Sequence, residues 1–345
     1  MEKFSLFIGI DLGKKEFFAA FRQKGMLIKV VCYENSASGI ARFIEEIKTF
    51  GLEFSQILIA LEHCGVYLEK LVMALHSEEL VCWLWDPLIA KNAPLDLNRH
   101  KDDIRDAKAM ALLAEMHQAR AKQYLPPTAE QEELKALFRL RAQLVKHRTK
   151  FYNQYHANQD KAIPHPISHQ ILEQWIQNSS EQIQEIEQKI KELIFQSERL
   201  KRMHQILLSI PGIGPVLATQ LIEITQGFTS FQSEKALAKY AGTLPLEHLS
   251  GSSVKRKPRS SKKCYKPLKV NLTMGATSTI REGLFFDKFY RYKTQVQKIE
   301  HLKVINIIRN IILKLAVKLV KLDQEFDPEI FKKNKKSWQV FLDLS

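Results

Sequence analysis

Two apolar runs in the first third of the chain each close on a single carboxylate. Phe4 to Leu12 reads Phe-Ser-Leu-Phe-Ile-Gly-Ile-Asp-Leu and carries Asp11, and Gln56 to Glu62 reads Gln-Ile-Leu-Ile-Ala-Leu-Glu. Runs this short and this apolar, next to turn residues such as Gly13, are the pattern of strands covered on both faces. Such strands belong to the centre of a sheet with helices on either side. That restricts the first third to an α/β arrangement with an acid at the end of each central strand.

The remaining elements fit the same layout. Glu16–Arg22 and Met26–Tyr33 read as two further strands joined by a turn at Gln23-Lys24-Gly25. Ser38–Phe50 has helical spacing through Ile40, Phe43, Ile44 and Ile47. Gly65–His76 reads as a helix, Leu80–Trp85 as a fifth strand and Lys101–His117 as a closing helix. Three strands, then helix, strand, helix, strand and helix, is the order of the RNase H-like fold.

The closing helix begins Lys101-Asp102-Asp103-Ile104-Arg105-Asp106-Ala107. Asp103 and Asp106 are three apart and share a face. Carboxylates so placed repel one another unless a cation lies between them. Joined by Asp11 and Glu62, they form a candidate tetrad for two divalent metals, Mg²⁺ or Mn²⁺. In-line attack on a phosphodiester needs an activated nucleophile and a stabilised leaving oxygen, and a metal pair with oxygen ligands supplies both. Taken singly, each acid is equally a cap or turn residue.

Charge divides the chain. It holds 52 Lys and Arg against 38 Asp and Glu, but residues 1–100 hold only 11 against 13. The excess falls on the later part, which points to a polyanionic partner there. The four cysteines, Cys32, Cys64, Cys82 and Cys264, show no metal or disulfide spacing. No stretch is apolar enough for a membrane span, and a cytoplasmic, nucleoid-associated protein is expected.

Beyond Ala129 the pattern becomes helical. Leu134, Leu137, Arg141, Leu144, Arg148, Phe151 and Tyr155 form one stagger. Leu172, Ile176, Ser179, Ile183, Ile186, Ile190 and Leu193 form another, after a break at Ile163-Pro164-His165-Pro166. Two long antiparallel helices, an arm or coiled coil, are expected. Arg141 and Arg148 interrupt the first seam and are candidates for facing nucleic acid or a second subunit.

Ser209-Ile210-Pro211-Gly212-Ile213-Gly214-Pro215 resembles a helix-hairpin-helix turn, whose amides can hold a phosphate without reading sequence. A tight structural turn would look the same. Glu234–Tyr240 reads as a short helix. Ser250 and Gly251 then lead into Lys255, Arg256, Lys257, Arg259, Lys262, Lys263, Lys266 and Lys269, with no acid between Glu247 and Glu282. This is a solvated basic loop, or a hydroxyl set among cations for attack on phosphate. A final helix, Lys303–Leu322, presents Ile305, Ile308, Ile312, Leu315 and Leu319 as its apolar face, with Arg309, Lys314 and Lys318 elsewhere. The expected division is residues 1–125, an α/β catalytic domain; 126–202, the helical arm; and 203–345, a mainly α domain.

Three early motifs resemble the DEDD transposases of bacterial insertion sequences, in the family numbered one hundred and ten. They are Ile8-Gly9-Ile10-Asp11-Leu12-Gly13-Lys14, Leu61-Glu62-His63-Cys64-Gly65-Val66-Tyr67 and Lys101 to Ala107. The Pro211 to Pro215 turn, Ala238-Lys239-Tyr240-Ala241-Gly242-Thr243-Leu244-Pro245 and Ser250-Gly251-Ser252-Ser253-Val254-Lys255-Arg256 resemble that family's C-terminal domain. The resemblance implies that Asp11, Glu62, Asp103 and Asp106 bind metal in a domain like that of Holliday-junction resolvases. It implies that Ser250 forms a covalent phosphoserine link to DNA. It further implies donor and target DNA as substrates, a structured guide (bridge) RNA that pairs with both, and a dimer or tetramer. Lys101, Arg141, Arg148, Gly212, Gly214, Gly251, Lys255, Arg256, Lys257, Arg259, Lys262 and Lys263 are the candidate nucleic-acid contacts. Asp102 departs from the family, which usually has Thr there. The alternative is a metal-dependent junction endonuclease that uses water and forms no covalent intermediate.

Overall fold

The computed structural model describes residues 4–85, 102–163, 165–231, 233–250, 254–260 and 263–333; for 245–250, 254–260 and 332–333 it describes the backbone alone. The chain divides into two compact units, Met1–Pro127 and Thr128–Ser345.

The first unit is a five-stranded sheet. Its strands are β1 (Leu6–Leu12), β2 (Glu16–Gln23), β3 (Met26–Glu34), β4 (Ile57–Glu62) and β5 (Val81–Trp85). They lie in the order β3-β2-β1-β4-β5. β1 runs antiparallel to β2 and parallel to β4, and β4 runs parallel to β5. This is the RNase H-like order that the apolar runs imply. The helices are α1 (Ala37–Lys48), α2 (Glu69–Ser77) and α3 (Asp103–Met116).

Side-chain alternation sorts the central strands into two layers. Leu6, Ile8 and Ile10 share one core with Ile57, Ile59 and Leu61, and with Phe43 and Ile47 of α1 and Leu71 and Leu75 of α2. Phe7, Leu58 and Ala60 face the other way, into a core with Met110, Leu113 and Ala114 of α3. Both faces of β1 and β4 are therefore covered, which is why their sequences are almost unbroken apolar runs.

The second unit opens with two antiparallel helices of 31 residues each, α4 (Ala129–Gln159) and α5 (Pro166–Gln196). Thr128 and Gln131 form a reciprocal capping box at the start of α4, and Pro166 occupies the first turn of α5. Then come α6 (Glu198–Ser209), α7 (Pro215–Thr225) and α8 (Glu234–Tyr240). Strands β6 (Pro245–Ser250) and β7 (Val254–Ser260) pair antiparallel. The unit closes with α9 (Lys266–Ser278), α10 (Asp287–Arg291), α11 (His301–Leu322) and α12 (Pro328–Lys333). Leu207, Leu217, Leu221, Leu237, Leu272, Ile308 and Ile312 belong to its shared core.

Two expectations are corrected. The basic segment is not an open loop: its flanks pair as β6 and β7, with Lys255 opposite Leu249 and Val254 opposite Ser250. Arg309 is not off the buried face of α11 but is buried, only 9% exposed. Among the described residues no helix is long and apolar enough to cross a membrane.

Candidate active site

Asp11 and Glu62 are brought side by side by strand register. Ile10 pairs with Leu61 in the parallel β1–β4 ladder, so the next residue on each strand is an acid. Alternation puts Asp11 on the face of Phe7 and Gly9, and Glu62 on the face of Leu58 and Ala60. That is the face covered by α3. Both acids are partly buried.

The helix approaches this face closely because Gly9 lacks a side chain. A Cβ there would lie 2.1 Å from the Ala111 nitrogen and 2.2 Å from the Ala107 oxygen. Gly9 meets the turn from Ala107 to Ala111, while Phe7 shares its core with Met110, Leu113 and Ala114. The helix therefore runs against the direction of β1, and its first turn is directed toward Asp11. The far end is held by Glu115, which pairs with Arg22 of β2 at 2.9 Å and accepts from the Gly25 amide at 2.8 Å.

Helical spacing then assigns the acids of α3. Asp103 lies four residues before Ala107 and seven before Met110, both buried, so it shares the azimuth that meets the sheet. Asp106 bears the same relation to Met110 and Leu113. Asp106 is half-buried and Asp103 exposed. Asp102 does something different. Its Oδ1 accepts from the Ile104 amide at 3.1 Å and so caps the helix.

Cys64 reports on the same corner. Its thiol is pushed up by burial, and further by the charges of Asp11 and Glu62. Two carboxylates thus act on one half-buried atom just beyond β4. The donors are all hard oxygens from one layer and one end of the sheet, which suits a divalent cation of the magnesium type. As placed, the side chains are not closed into a shell: among the described residues no group of three or more His, Cys, Asp or Glu could hold an ion.

In the second unit, Ser250 ends β6 with Val254 as its Cα partner. The side chains of Ser250, Lys255, Arg256, Lys257 and Arg259 lie outside the described residues, as do Lys101, Gly251 and Lys262 entirely. Lys263 is exposed just past the hairpin. The hairpin leaves and re-enters the core beside two rings, Tyr240 and Tyr265, stacked with centroids 5.4 Å apart. Both phenols are pushed up by burial.

The two glycines of the Pro-Gly-x-Gly turn do different things. Gly212 has φ +90°, and a Cβ on it would lie 2.9 Å from the Gly275 oxygen and 2.9 Å from Ile312 Cδ1. It is a packing glycine. Gly214 is exposed, caps α7 and has open space around its Cα. Arg141 and Arg148 both reach across the helical hairpin. Arg141 pairs with Glu187 at 2.6 Å, and Arg148 Nη1 donates to Ser180 Oγ at 3.4 Å.

Known families match the chain in two stretches. Residues 8–164 match the DEDD IS110 transposase family, and residues 204–291 match the Transposase IS116/IS110/IS902 family. The pilin gene-inverting protein of Moraxella lacunata is 27% identical over 338 residues, 94% of this chain and 98% of its own. The transposase for insertion sequence element IS1328 of Yersinia enterocolitica is 26% identical over 276 residues, 71% of this chain and 75% of its own. Among solved structures, the Thermus thermophilus RuvC structure aligns with TM-score 0.27 and 17% identity, over 34% of this chain and 99% of that one.

Proposed function

Because the chain belongs to the IS110 family of transposases by both of its matched stretches, we infer that its two parts carry one strand-exchange chemistry on DNA. The carrying observation is the register of Asp11 beside Glu62, on the face to which Gly9 admits α3 at Ala107–Ala111. Those two strand ends and the pair Asp103 and Asp106 would hold divalent metal ions. Metal bound there supplies Lewis-acid stabilisation of the charge that develops on phosphate oxygens.

Ser250 is the nucleophile. Its Oγ forms a bond to a backbone phosphorus as the bond from that phosphorus to a deoxyribose oxygen breaks, and the serine proton passes through solvent to the departing oxygen, which leaves as a hydroxyl. A strand-end hydroxyl from the second DNA then attacks the phosphoserine, which restores Ser250 and joins the new strand. Lys255, Arg256, Lys257, Arg259, Lys262 and Lys263 neutralise the backbone around the serine, with Gly214 offering amide contacts to phosphate. Base choice falls to a guide RNA, for which the basic second unit supplies backbone rather than base contacts. The catalytic assembly is a homo-oligomer.

The test is excision or circularisation in cells, using the gene in its native flanking DNA and amplification across the new junction. Wild type should form junctions; Asp11→Ala and Ser250→Ala should not. Wild type should also leave a protein–DNA adduct that survives denaturation, absent from Ser250→Ala. Junctions that persist in Ser250→Ala would overturn the covalent step and leave a water-using nuclease.

A further inference from the structure

The hairpin that carries Ser250 is tied at its entry to an unusual buried cation. Arg309 of α11 is 9% exposed, and among the described residues no carboxylate pairs with it. Its Nη1 donates to Thr273 Oγ1 at 2.9 Å and its Nη2 to Asn306 Oδ1 at 2.9 Å, while Nε is buried with no partner. Burying an unpaired charge is costly, and evolution usually answers it with an acid or an apolar replacement. Among the described residues the guanidinium is instead held by two neutral side chains.

A use for it is visible in what the guanidinium does to Asn306. An amide side chain can face either way, and its neighbours decide which. Arg309 offers only donors, so it holds the Asn306 oxygen toward itself and turns the Asn306 nitrogen outward. Asn306 Nδ2 then donates to the Thr243 carbonyl at 2.9 Å. Thr243 is wholly buried and lies two residues before β6; its own amide donates to Ala238 O at 2.9 Å. At the exit, Cys264 lies within electrostatic reach of the same guanidinium. The next residue, Tyr265, donates its amide to Tyr240 O at 2.8 Å.

We propose that Asn306 and Arg309 are positioning residues: Arg309 fixes the Asn306 amide so that it clamps Thr243, and this clamp orients the β6–β7 hairpin for attack by Ser250. The proposal rests on the reading of Ser250 as nucleophile. It gives a use to a cation that, among the described residues, has no acid beside it. A carboxylate at 306 would satisfy the cation better, but would present an oxygen to the Thr243 carbonyl and repel it.

Asn306→Asp is therefore the decisive variant, because it separates stability from clamping. The full chain is compared with wild type by melting temperature, by hydrogen exchange across 245–260, and by junction formation in cells. Melting should hold or rise, since Arg309 gains a carboxylate. Exchange in the hairpin should quicken about five- to tenfold, the size of one lost hydrogen bond, with the first unit unchanged. Junctions should fall by at least as much. Arg309→Met should show the same selective exchange, and Arg309→Lys, which keeps a donor, should recover most of it. Unchanged hairpin exchange overturns the proposal. So does exchange that rises throughout the helical core with a lowered melting temperature, or hairpin exchange that rises while junctions persist at the wild-type level. Ser250→Ala runs beside these. If it still forms junctions, the serine reading fails, and the exchange comparison alone decides whether the clamp exists.

Discussion

Gly9 and Ala111 touch backbone to backbone: a Cβ on Gly9 would stand 2.1 Å from the Ala111 nitrogen. This contact sets the depth at which α3 lies on the sheet. The depth in turn sets how near the first turn of α3 comes to Asp11.

Gly9→Ala should therefore damage the site from two residues away. Moving α3 out to admit a methyl group should cost roughly 1–3 kcal/mol of stability, the usual range for overpacking. Mg²⁺ binding should weaken as well, since Asp103 and Asp106 move with the helix. Calorimetric melting and Mg²⁺ titration check both. Unaltered Mg²⁺ binding in a folded Gly9→Ala protein would separate the helix from the site.

The three aspartates at the start of α3 should separate by role. Asp102→Ala should lose the cap to Ile104 and about 1 kcal/mol of stability, while Asp102→Asn keeps the cap and the activity. Asp103→Asn and Asp106→Asn should instead lose metal binding and DNA cleavage with little change in melting. Cleavage with Mg²⁺ titration, run on all four variants, distinguishes cap from ligand.

Glu223 gives a pH dependence. Its carboxyl is pushed above the ordinary glutamate value near 4.5, chiefly by burial, with Arg139 partly opposing the shift. Because the folded protein holds this proton more tightly than the unfolded chain, Glu223 favours folding at low pH. That contribution is lost as pH rises from the unfolded value through the raised folded one. Glu223→Gln should flatten this part of the stability curve and melt higher than wild type near neutral pH. Melting measured from pH 4 to 7 on both proteins checks the sign.

The two turn glycines should respond differently. Gly212→Ala must place a Cβ at φ +90° and 2.9 Å from Gly275 O, so it should destabilise the second unit. Gly214→Ser fits an open N-cap position and should leave melting unchanged or slightly raised. With melting preserved, salt-dependent DNA binding by Gly214→Ser tests the phosphate contact without a folding artefact.

Much of the first unit was legible because its signals are local. Apolar runs ending in Asp11 and Glu62 mark the central strands, and a turn at Lys24-Gly25 separates β2 from β3. Helical spacing also placed α4 and α5, since their seams repeat over many turns. What escaped were pairings between distant residues. Nothing near Arg141 shows that Glu187 answers it, and nothing near Arg309 shows that α11 turns it inward against Thr273. The β6–β7 hairpin was hidden for another reason. β7 is largely basic and β6 is a mixed Pro-Leu-Glu-His-Leu-Ser, so neither carries the alternating apolar face that identifies a strand. Asp102 and Asp103 are the same residue type at adjacent positions, so local sequence does not tell which of them caps the helix.

Gly212 and Gly275 face each other with reciprocal tightness: a Cβ on Gly275 would stand 2.1 Å from the Gly212 oxygen, and one on Gly212 2.9 Å from the Gly275 oxygen. The consequence is one of inheritance. Every single-base missense change in a glycine codon adds a Cβ, and neither partner can shrink to make room for the other. Any such change puts a Cβ against the other glycine's carbonyl. Among drifting copies of such an element, a change at either codon marks a copy that has lost this contact.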